Sequence, residues 1–512
     1  MSKKMNVLFI ITDQQRADML SCYGNNMIKT PNLDSLAKES IRFSNAFCTS
    51  PMCMPNRATL LTGYYPNVHG VRSNGIDLPQ NVPTITQTLV NRGYHTISIG
   101  KTHYNTWTPR HGEFYKTKSA EDFQDWKIKN PKGDYLTHEK FPIPYYGFEE
   151  VDLVIGHGNA CLGHYLEWIE EKDPIIAEKI RREYSITLPA QEIFYESWVP
   201  LELYNTTYIQ NNTIAFLERY VKGVYGEKPF FLHCSFPDPH QPVSPPGKYR
   251  EMYKPEDMKL PRNVHNIKNL YKHPYLKQHL EYPPVRGSML REETEENIRK
   301  FIALSYGSVS LIDYAIGQIL VTLEKLGLAD NTMVIFTSDH GDYLGEHGLI
   351  LKGISPFNGT LQVPLIWRIP GLTNPAVSEA LTSSVDLPKT ILELLNIKER
   401  YRPPDMQGYD MTPVLKDPNK ELRDCILIME DEEIGPHGPL YTRLVHLVTR
   451  GYKLTKYAEV PGYGDLFDRN NDILELNNLW DKDQNLRIEM LDKLFHEYAL
   501  TRSRFPKRAS GF

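Results

Sequence analysis

The chain has 512 residues, of which 40% are hydrophobic and 24% charged, as in ordinary globular proteins. Its 58 basic and 63 acidic residues give a net charge of -5, which excludes a strongly basic nucleic-acid-binding protein; we expect neither a nucleic-acid nor a membrane partner. The six cysteines are scattered without a CxxC pair, which excludes a disulfide-rich scaffold and predicts a cytoplasmic location.

The first hundred residues alternate between predicted strands and helices. Residues 7–11 form an apolar block that predicts a buried strand and is too short for a signal peptide or a membrane span. Helices are predicted at 33–39 and 84–91, and a second strand at 95–99. This alternation predicts an α/β fold with a large, mostly parallel sheet flanked by helices.

The middle and the end of the chain differ from this pattern. Residues 104–228 are rich in aromatic residues and proline, and we interpret them as an insertion that shapes a substrate pocket. The alternation then resumes, with a long helix predicted at 293–326 and strands at 229–236, 333–337 and 363–370. Residues 421–512 predict a small antiparallel sheet with one terminal helix, so we expect a catalytic α/β domain at 1–420 and a C-terminal subdomain at 421–512.

The segment CMPNRATLLTG predicts a helix that begins at Cys53. Pro55 suits the first helical turn and Gly63 suits the end of the helix. Cys53 and Arg57 are spaced i,i+4 and therefore share one face, next to the free N–H groups of the first turn. This arrangement predicts an anion site that contains a sulfur atom.

Two aspartates directly follow predicted buried strands, Asp13 in FIITDQQ and Asp339 in VIFTSDHGD. The carboxyl ends of parallel strands form the crevice where ligands bind, so both carboxylates are expected there. With the neighbouring Gln14 and His340 they form a donor set that suits calcium, magnesium or manganese.

Four basic residues are predicted to surround the same crevice, because each follows a predicted strand or lies in the loop after Asp339. They are Lys101, His103, His240 and Lys352. Because the whole chain is slightly negative, such a local group of cations indicates a site for an anionic substrate.

Five segments, CMPNRATLLTG, GKTH, PDPH, SDHGDYLGEHG and GYKLTKY, resemble in sequence and order the motifs of the type I sulfatases. These are the formylglycine-dependent branch of the alkaline phosphatase superfamily. The resemblance covers nearly the whole chain and implies an alkaline phosphatase-like fold. No dinucleotide, P-loop, zincin or α/β-hydrolase motif competes with it.

The resemblance implies that a maturation enzyme, formylglycine-generating or of another kind, oxidises Cys53 to formylglycine, whose hydrate is the nucleophile. It also implies one divalent metal ion, Ca2+ before Mn2+ or Mg2+. The implied ligands are Asp13, Gln14, Asp339, His340 and the modified Cys53.

The same resemblance implies a role for each of the basic residues. Arg57 and Lys101 would hold the nucleophile and the ester. Lys352 and His240 would bind the sulfuryl oxygens, and His103 would drive breakdown of the sulfated enzyme.

The sequence leaves three functions open. The first is hydrolysis of a sulfate monoester, whether aryl, choline-like or carbohydrate. The second is hydrolysis of phosphonate monoesters or phosphodiesters, because Gln14 and His340 resemble the choline-sulfatase and phosphonate-monoester-hydrolase side of the family; Lys101 and His103 follow the sulfatase pattern. The third is an inactive protein that binds sulfated sugars. The oligomeric state is not predicted.

Asn358 and Gln362 stand where members of the family usually carry Glu and Arg. Because losing one member of a buried pair would leave an unpaired charge, we hypothesise that the two side chains contact each other or share a partner.

Overall fold

The structure is a computed structural model that describes residues 4–106, 120–121, 141–185, 193–281, 291–433 and 441–501. Its strands are β1 (Asn6–Thr12), β2 (Ile41–Phe43), β3 (Ala46–Phe47), β4 (His95–Gly100), β5 (Glu150–His157), β6 (Ala160–Gly163), β7 (Phe230–Ser235), β8 (Arg291–Glu292), β9 (Thr332–Ser338), β10 (Leu349–Ile350), β11 (Leu365–Arg368), β12 (Ala376–Ser378), β13 (Thr382–Ser383), β14 (Cys425–Glu433), β15 (Tyr441–Thr449), β16 (Tyr452–Tyr457) and β17 (Gly464–Asp468). Its helices are α1 (Pro31–Ala37), α2 (Cys53–Thr62), α3 (Pro66–His69), α4 (Ile85–Asn91), α5 (His164–Lys172), α6 (Pro174–Ser185), α7 (Asn205–Val221), α8 (Ile267–Leu270), α9 (Leu276–Glu281), α10 (Glu295–Lys325), α11 (Asp386–Leu394), α12 (Thr412–Lys416) and α13 (Gln484–Leu500).

The largest sheet has nine strands in the order β12-β2-β11-β9-β1-β7-β4-β5-β6. Its centre, from β9 to β5, is parallel, whereas β11 and β6 pair antiparallel with their neighbours. Every residue of β1, β4, β7 and β9 is buried, as expected when helices cover both faces of a sheet. The predicted α/β fold with a mostly parallel sheet is confirmed.

The longest helix, α10, packs against α7 and α1 beside this sheet. Among the described residues it is the one helix long and apolar enough to cross a membrane, a match that the sequence analysis did not anticipate. However, 67% of its apolar window is buried inside the molecule, as in a core helix.

The C-terminal sheet is an antiparallel meander in the order β14-β15-β16-β17. Met490 and Leu494 of α13 pack on its apolar face together with Leu447 and Leu454. The expected antiparallel sheet with one terminal helix is therefore present, while the boundary at residue 420 stays a prediction.

The segment 104–228 contributes to the large sheet as well as to its surroundings. β5 pairs in parallel with β4, and β6 continues the sheet beyond it. Part of the segment, including the aromatic residues Trp107 and Tyr115, lies outside the described residues. Its role in shaping a substrate pocket stays a prediction.

Parallel strands bring distant residues to one edge of the sheet. β1, β4, β5, β7 and β9 all end there, and α2 begins beside them at Cys53. Gly63, with φ of 75°, ends α2 in the left-handed conformation, as the sequence predicted.

Candidate active site

Cys53 is the first residue of α2 and is 2% exposed. The Nζ atom of Lys352 donates a hydrogen bond to its sulfur over 2.8 Å, and Nε2 of His340 lies 3.2 Å from the same atom. Burial acts to raise the pKa of the thiol, but the neighbouring lysines and imidazole outweigh it and bring the pKa below its ordinary value. The surrounding cations therefore favour the thiolate although the sulfur is buried.

Arg57, one turn further along α2, ties three strand ends together. Its Nε donates to Asp339 over 2.8 Å, and its Nη1 donates to the Lys101 carbonyl and the Ser235 hydroxyl over 2.9 Å each. Nη2 lies 3.5 Å from Asp13. The guanidinium thus orients the two aspartates, and it has no recorded hydrogen bond to the Cys53 sulfur among the described residues.

Three of the four predicted metal ligands converge with the Cys53 sulfur, and the backbone N–H of the fourth, Gln14, donates to Asp339. One ligand atom from each of Asp13, Cys53, Asp339 and His340 lies within 4.8 Å of the others. The side-chain N–H2 of Gln14 is used by Gln241 and Asp342, and its Oε1 is buried without a hydrogen-bond partner in the part of the chain that the structure describes. Two carboxylates, an imidazole and an unused amide oxygen fit a divalent metal ion.

The carboxylate of Asp13 has several basic neighbours. Burial acts to raise the pKa of its carboxyl group, but Lys101, in direct contact, and the nearby imidazoles and Arg57 bring it well below the ordinary value. The carboxylate is therefore ionised and available as a ligand.

Two histidines and two lysines form the opposite side of the site. The rings of His157 and His240 stack with centroids 3.7 Å apart and planes 9° apart. Nζ of Lys101 lies 2.8 Å from Nε2 of His157, and Nζ of Lys352 lies 2.9 Å from Nε2 of His240. Burial, and then the adjacent lysine, lowers the pKa of His157 to about 3, so the ring is neutral and accepts from the ammonium group.

His103 is buried near the same cations, with φ of 57°. Burial, followed by Lys101 and Arg57, lowers its pKa well below the ordinary value. Its loop is held by Glu121, which accepts hydrogen bonds from the backbone N–H groups of His103 and Tyr104 and from the Tyr145 hydroxyl.

The structure thus brings Cys53 together with Asp13, Asp339 and His340 and with the predicted cations, and it places Gln14 beside Asp339. Four residues of the site were not predicted from the sequence: His157, Gln241, Asp342 and Glu121. His157 could have been predicted, because it lies at the end of the apolar run VDLVIGH, just as Asp13 directly follows a predicted buried strand. The other three lie in loops or isolated segments and carry no local pattern.

Among the described residues, the side chains of Asn358 and Gln362 do not hydrogen-bond to each other. Oδ1 of Asn358 accepts from Lys453, and Nε2 of Gln362 donates to the Ser44 carbonyl. Both line the same cavity, and their backbones share one hydrogen bond, but the described residues show no common side-chain hydrogen-bond partner. The hypothesis of a direct contact or a shared hydrogen-bond partner is not supported.

Comparison with known proteins shows similarity over nearly the whole chain. Residues 5–397 match the Sulfatase family model, and residues 345–499 match the model of the N-sulphoglucosamine sulphohydrolase C-terminal region. An arylsulfatase of Clostridium perfringens is 29% identical over 96% of this chain and 93% of that protein. The multifunctional alkaline phosphatase superfamily protein PehA of Trinickia caryophylli is 32% identical over 77% of this chain and 74% of that protein. The phosphonate monoester hydrolase structure of Agrobacterium radiobacter superposes with a TM-score of 0.77 at 25% identity, covering 97% of this chain and 96% of that one.

Proposed function

The chain belongs to the sulfatase family, a family of sulfuric ester hydrolases, and on that premise we propose that it hydrolyses a sulfate monoester with a nucleophile derived from Cys53. The observation that carries this proposal is the environment of one sulfur atom. Lys352 lies 2.8 Å, His340 3.2 Å and Asp13 3.8 Å from Sγ, although the four residues come from three separate parts of the chain.

The nucleophile requires modification of Cys53 by a maturation enzyme. The hydrate of formylglycine at this position would supply one hydroxyl that attacks sulfur and a second that later expels sulfate. The chain itself holds the residue at the start of α2 and keeps Lys352 within hydrogen-bonding distance of the reacting position. The predicted free N–H groups of the first turn are not available there, because Met54 donates to Asn74, Asn56 donates to the Met52 carbonyl and Pro55 has no N–H.

The buried ammonium groups stabilise charge on the transferring sulfuryl group. Lys101 and Lys352 are 2% and 0% exposed, so little solvent screens them. They are pre-positioned by His157 and His240, which accept from them. Such fixed cations stabilise the transition state without reorganisation during the reaction.

We assign proton transfer during release of sulfate to His103. Its lowered pKa keeps the imidazole neutral, the form that can accept a proton. Glu121 holds the loop by accepting from the His103 backbone N–H, and Arg57 orients the nearby Asp339 carboxylate.

A divalent metal ion held by Asp13, Gln14, Asp339 and His340 would supply Lewis-acid stabilisation of oxygen at the reacting centre. Calcium is our first assignment, since three of the four donors are oxygen atoms; manganese and magnesium are the alternatives.

A second candidate function is hydrolysis of phosphonate monoesters or phosphodiesters. It is favoured by the TM-score of 0.77 to a phosphonate monoester hydrolase and by the 32% identity to a multifunctional relative. The same cations and metal ligands would stabilise a phosphoryl group, because both transition states spread negative charge over peripheral oxygens.

Two measurements test these proposals. Peptide mass spectrometry across residue 53, after co-expression with a formylglycine-generating enzyme, is expected to show formylglycine in place of cysteine. Aryl sulfate, phosphonate and phosphodiester substrates are then compared by kcat/KM, with sulfate expected to be preferred. Cys53→Ala should abolish turnover, whereas Cys48→Ala, at another buried cysteine, should retain it.

The alternatives give different results. A preference for the phosphorus esters would favour the second function. Unmodified Cys53 with no turnover but measurable binding of sulfated sugars would indicate the inactive binding protein.

A further inference from the structure

A second cavity lies outside the candidate active site, with a volume of about 370 Å³. Its walls come from the loop after β1, from β2, from the turn at Asn358 and from the loop after β17. None of the candidate catalytic or metal-ligating residues lines it. Its size falls within the range of small-molecule sites.

Arg42, on β2, brings an uncompensated charge to this cavity. Its guanidinium stacks on the Tyr23 ring, 4.5 Å from the centroid. Among the described residues it has no ion pair and no side-chain hydrogen bond. A guanidinium has five N–H donors, so all of them are available to a ligand.

Arg469, from the loop after β17, is the second cation. Its two Nη atoms donate to the Thr449 and Arg450 carbonyls and to Asn45, and its Nε is buried without a partner in the described part of the chain. Burial lowers its pKa, and the nearby carboxylate of Glu475 offsets this only in part. This guanidinium therefore lacks a neutralising partner of its own.

The acidic residues of the walls are engaged elsewhere. Asp18 and Glu346 each lie 2.7 Å from Arg16, and Glu475 pairs with the buried Lys453. With Arg16 and Lys453 these three carboxylates sum to a charge of -1, so the two further arginines, Arg42 and Arg469, give the cavity region a net charge of +1.

One buried acceptor also faces this space. Asn263 is 5% exposed, and its Oδ1 has no hydrogen-bond partner among the described residues. Since an oxyanion brings acceptors for the arginines but no donor for this amide, the ligand should also carry a hydroxyl group.

We propose that this cavity binds a small hydroxyl-bearing oxyanion of the sulfated-monosaccharide class. The sulfate would lie between Arg42 and Arg469, with a sugar hydroxyl donating to Asn263. The inference does not depend on the proposed hydrolytic activity, because the site shares no residue with it.

Calorimetric titration of the full chain carrying Cys53→Ala tests the proposal with glucose 6-sulfate, inorganic sulfate and glucose. Binding is expected in that order of decreasing affinity. Arg42→Gln should weaken glucose 6-sulfate binding at the cavity at least tenfold. Arg92→Gln is the matched control, since Arg92 also stacks on a tyrosine, 3.9 Å from the Tyr401 centroid, but does not line the cavity.

A second variant guards against a folding defect. Asn358→Asp places a carboxylate in the cavity while keeping the oxygen that accepts from Lys453, so it should abolish binding and leave the Tm close to that of the parent. Hydrogen exchange should slow in β2 and β17 when glucose 6-sulfate is added. Equal affinities of Arg42→Gln and Arg92→Gln, or equal binding of glucose and glucose 6-sulfate, would overturn the proposal.

Discussion

At the scale of single residues, the candidate active site is a set of buried charges that neutralise one another. Asp13 lies in contact with Lys101, 3.5 Å from Arg57 and 3.6 Å from both His157 and His340. Removing one partner from such a network leaves a buried charge unpaired, which costs about 3–5 kcal/mol. Variants here therefore need controls that separate lost stability from lost chemistry.

His157 offers such a separation. His157→Ala removes the acceptor of Lys101 and the ring stacked on His240, so kcat/KM for an aryl sulfate is expected to fall about 10–100-fold. His157→Gln, which keeps an acceptor, should retain most of the activity. His279→Ala removes another buried histidine outside the site and should leave kcat/KM unchanged. Equal losses in the alanine and glutamine variants would contradict this positioning role.

Gln14 gives a prediction about the metal ion. After chelation, Ca2+, Mn2+ and Mg2+ are titrated separately, and the tightest binding is expected for Ca2+. Gln14→Leu removes the unused Oε1 and should weaken binding about 100-fold or more, whereas Gln241→Leu removes only the partner that orients this amide and should cost about tenfold. Equal effects would show that Oε1 is not a ligand.

Single residues also show where sequence reasoning stops. Asp13 and Asp339 could be placed in one crevice because each follows a buried strand of a parallel sheet. The sequence could not show that Arg57 binds Asp339 and Asp13 without a direct hydrogen bond to Cys53, because that depends on side-chain direction. Glu121 was not predicted, because nothing in the sequence around it indicates that its carboxylate accepts a hydrogen bond from the backbone of His103.

At the scale of elements, β4 carries Lys101 and His103 to the site and has a glycine near each end. Gly93 and Gly100 both have positive φ, 81° and 104°. A Cβ atom at Gly93 would meet only Nζ of Lys4 at 4.0 Å, whereas one at Gly100 would clash with the Ser235 carbonyl of β7. The two positions therefore share a backbone conformation but differ in the room available for a side chain.

Alanine substitutions should separate the cost of the left-handed backbone conformation from the cost of the steric clash. Gly93→Ala is expected to lower the free energy of unfolding by about 1–2 kcal/mol, the cost of the left-handed conformation alone. Gly100→Ala should cost more and also reduce kcat/KM, because β4 and β7 must move apart beside Lys101. Denaturant unfolding and steady-state kinetics measure both. Equal losses of stability would contradict the predicted clash.

The elements themselves were largely predictable. Strands β1, β4, β7 and β9 were placed to within one residue at each end, because their continuous apolar runs are bounded by polar residues. β5 and β6 were not identified, since they lie within the aromatic segment 104–228, where neither periodicity is clear. Their addition to the sheet depends on long-range pairing with β4.

At the scale of the whole molecule, β14 of the C-terminal sheet reaches the loops around the active site through two buried glutamates. Glu430 accepts from the backbone N–H of Ile354, near Lys352, and Glu432 accepts from the Ser73 hydroxyl. Each has a second oxygen that is buried without a partner among the described residues. Burial raises the pKa of both carboxyl groups to about 8.

These two groups predict how the stability of the molecule depends on pH. Between the unfolded pKa of about 4.5 and the folded pKa of about 8, the folded state keeps protons that the unfolded state loses. Stability from this source is therefore fully present below pH 4.5 and falls as pH rises to 8, by about 1.4 kcal/mol per pH unit for each group. Glu430→Gln and Glu432→Gln should flatten this slope in denaturant unfolding from pH 5 to 9. Glu421→Gln, at an exposed carboxylate, should keep it, and an unchanged slope in both buried variants would show that these carboxyl groups are ionised in the folded protein.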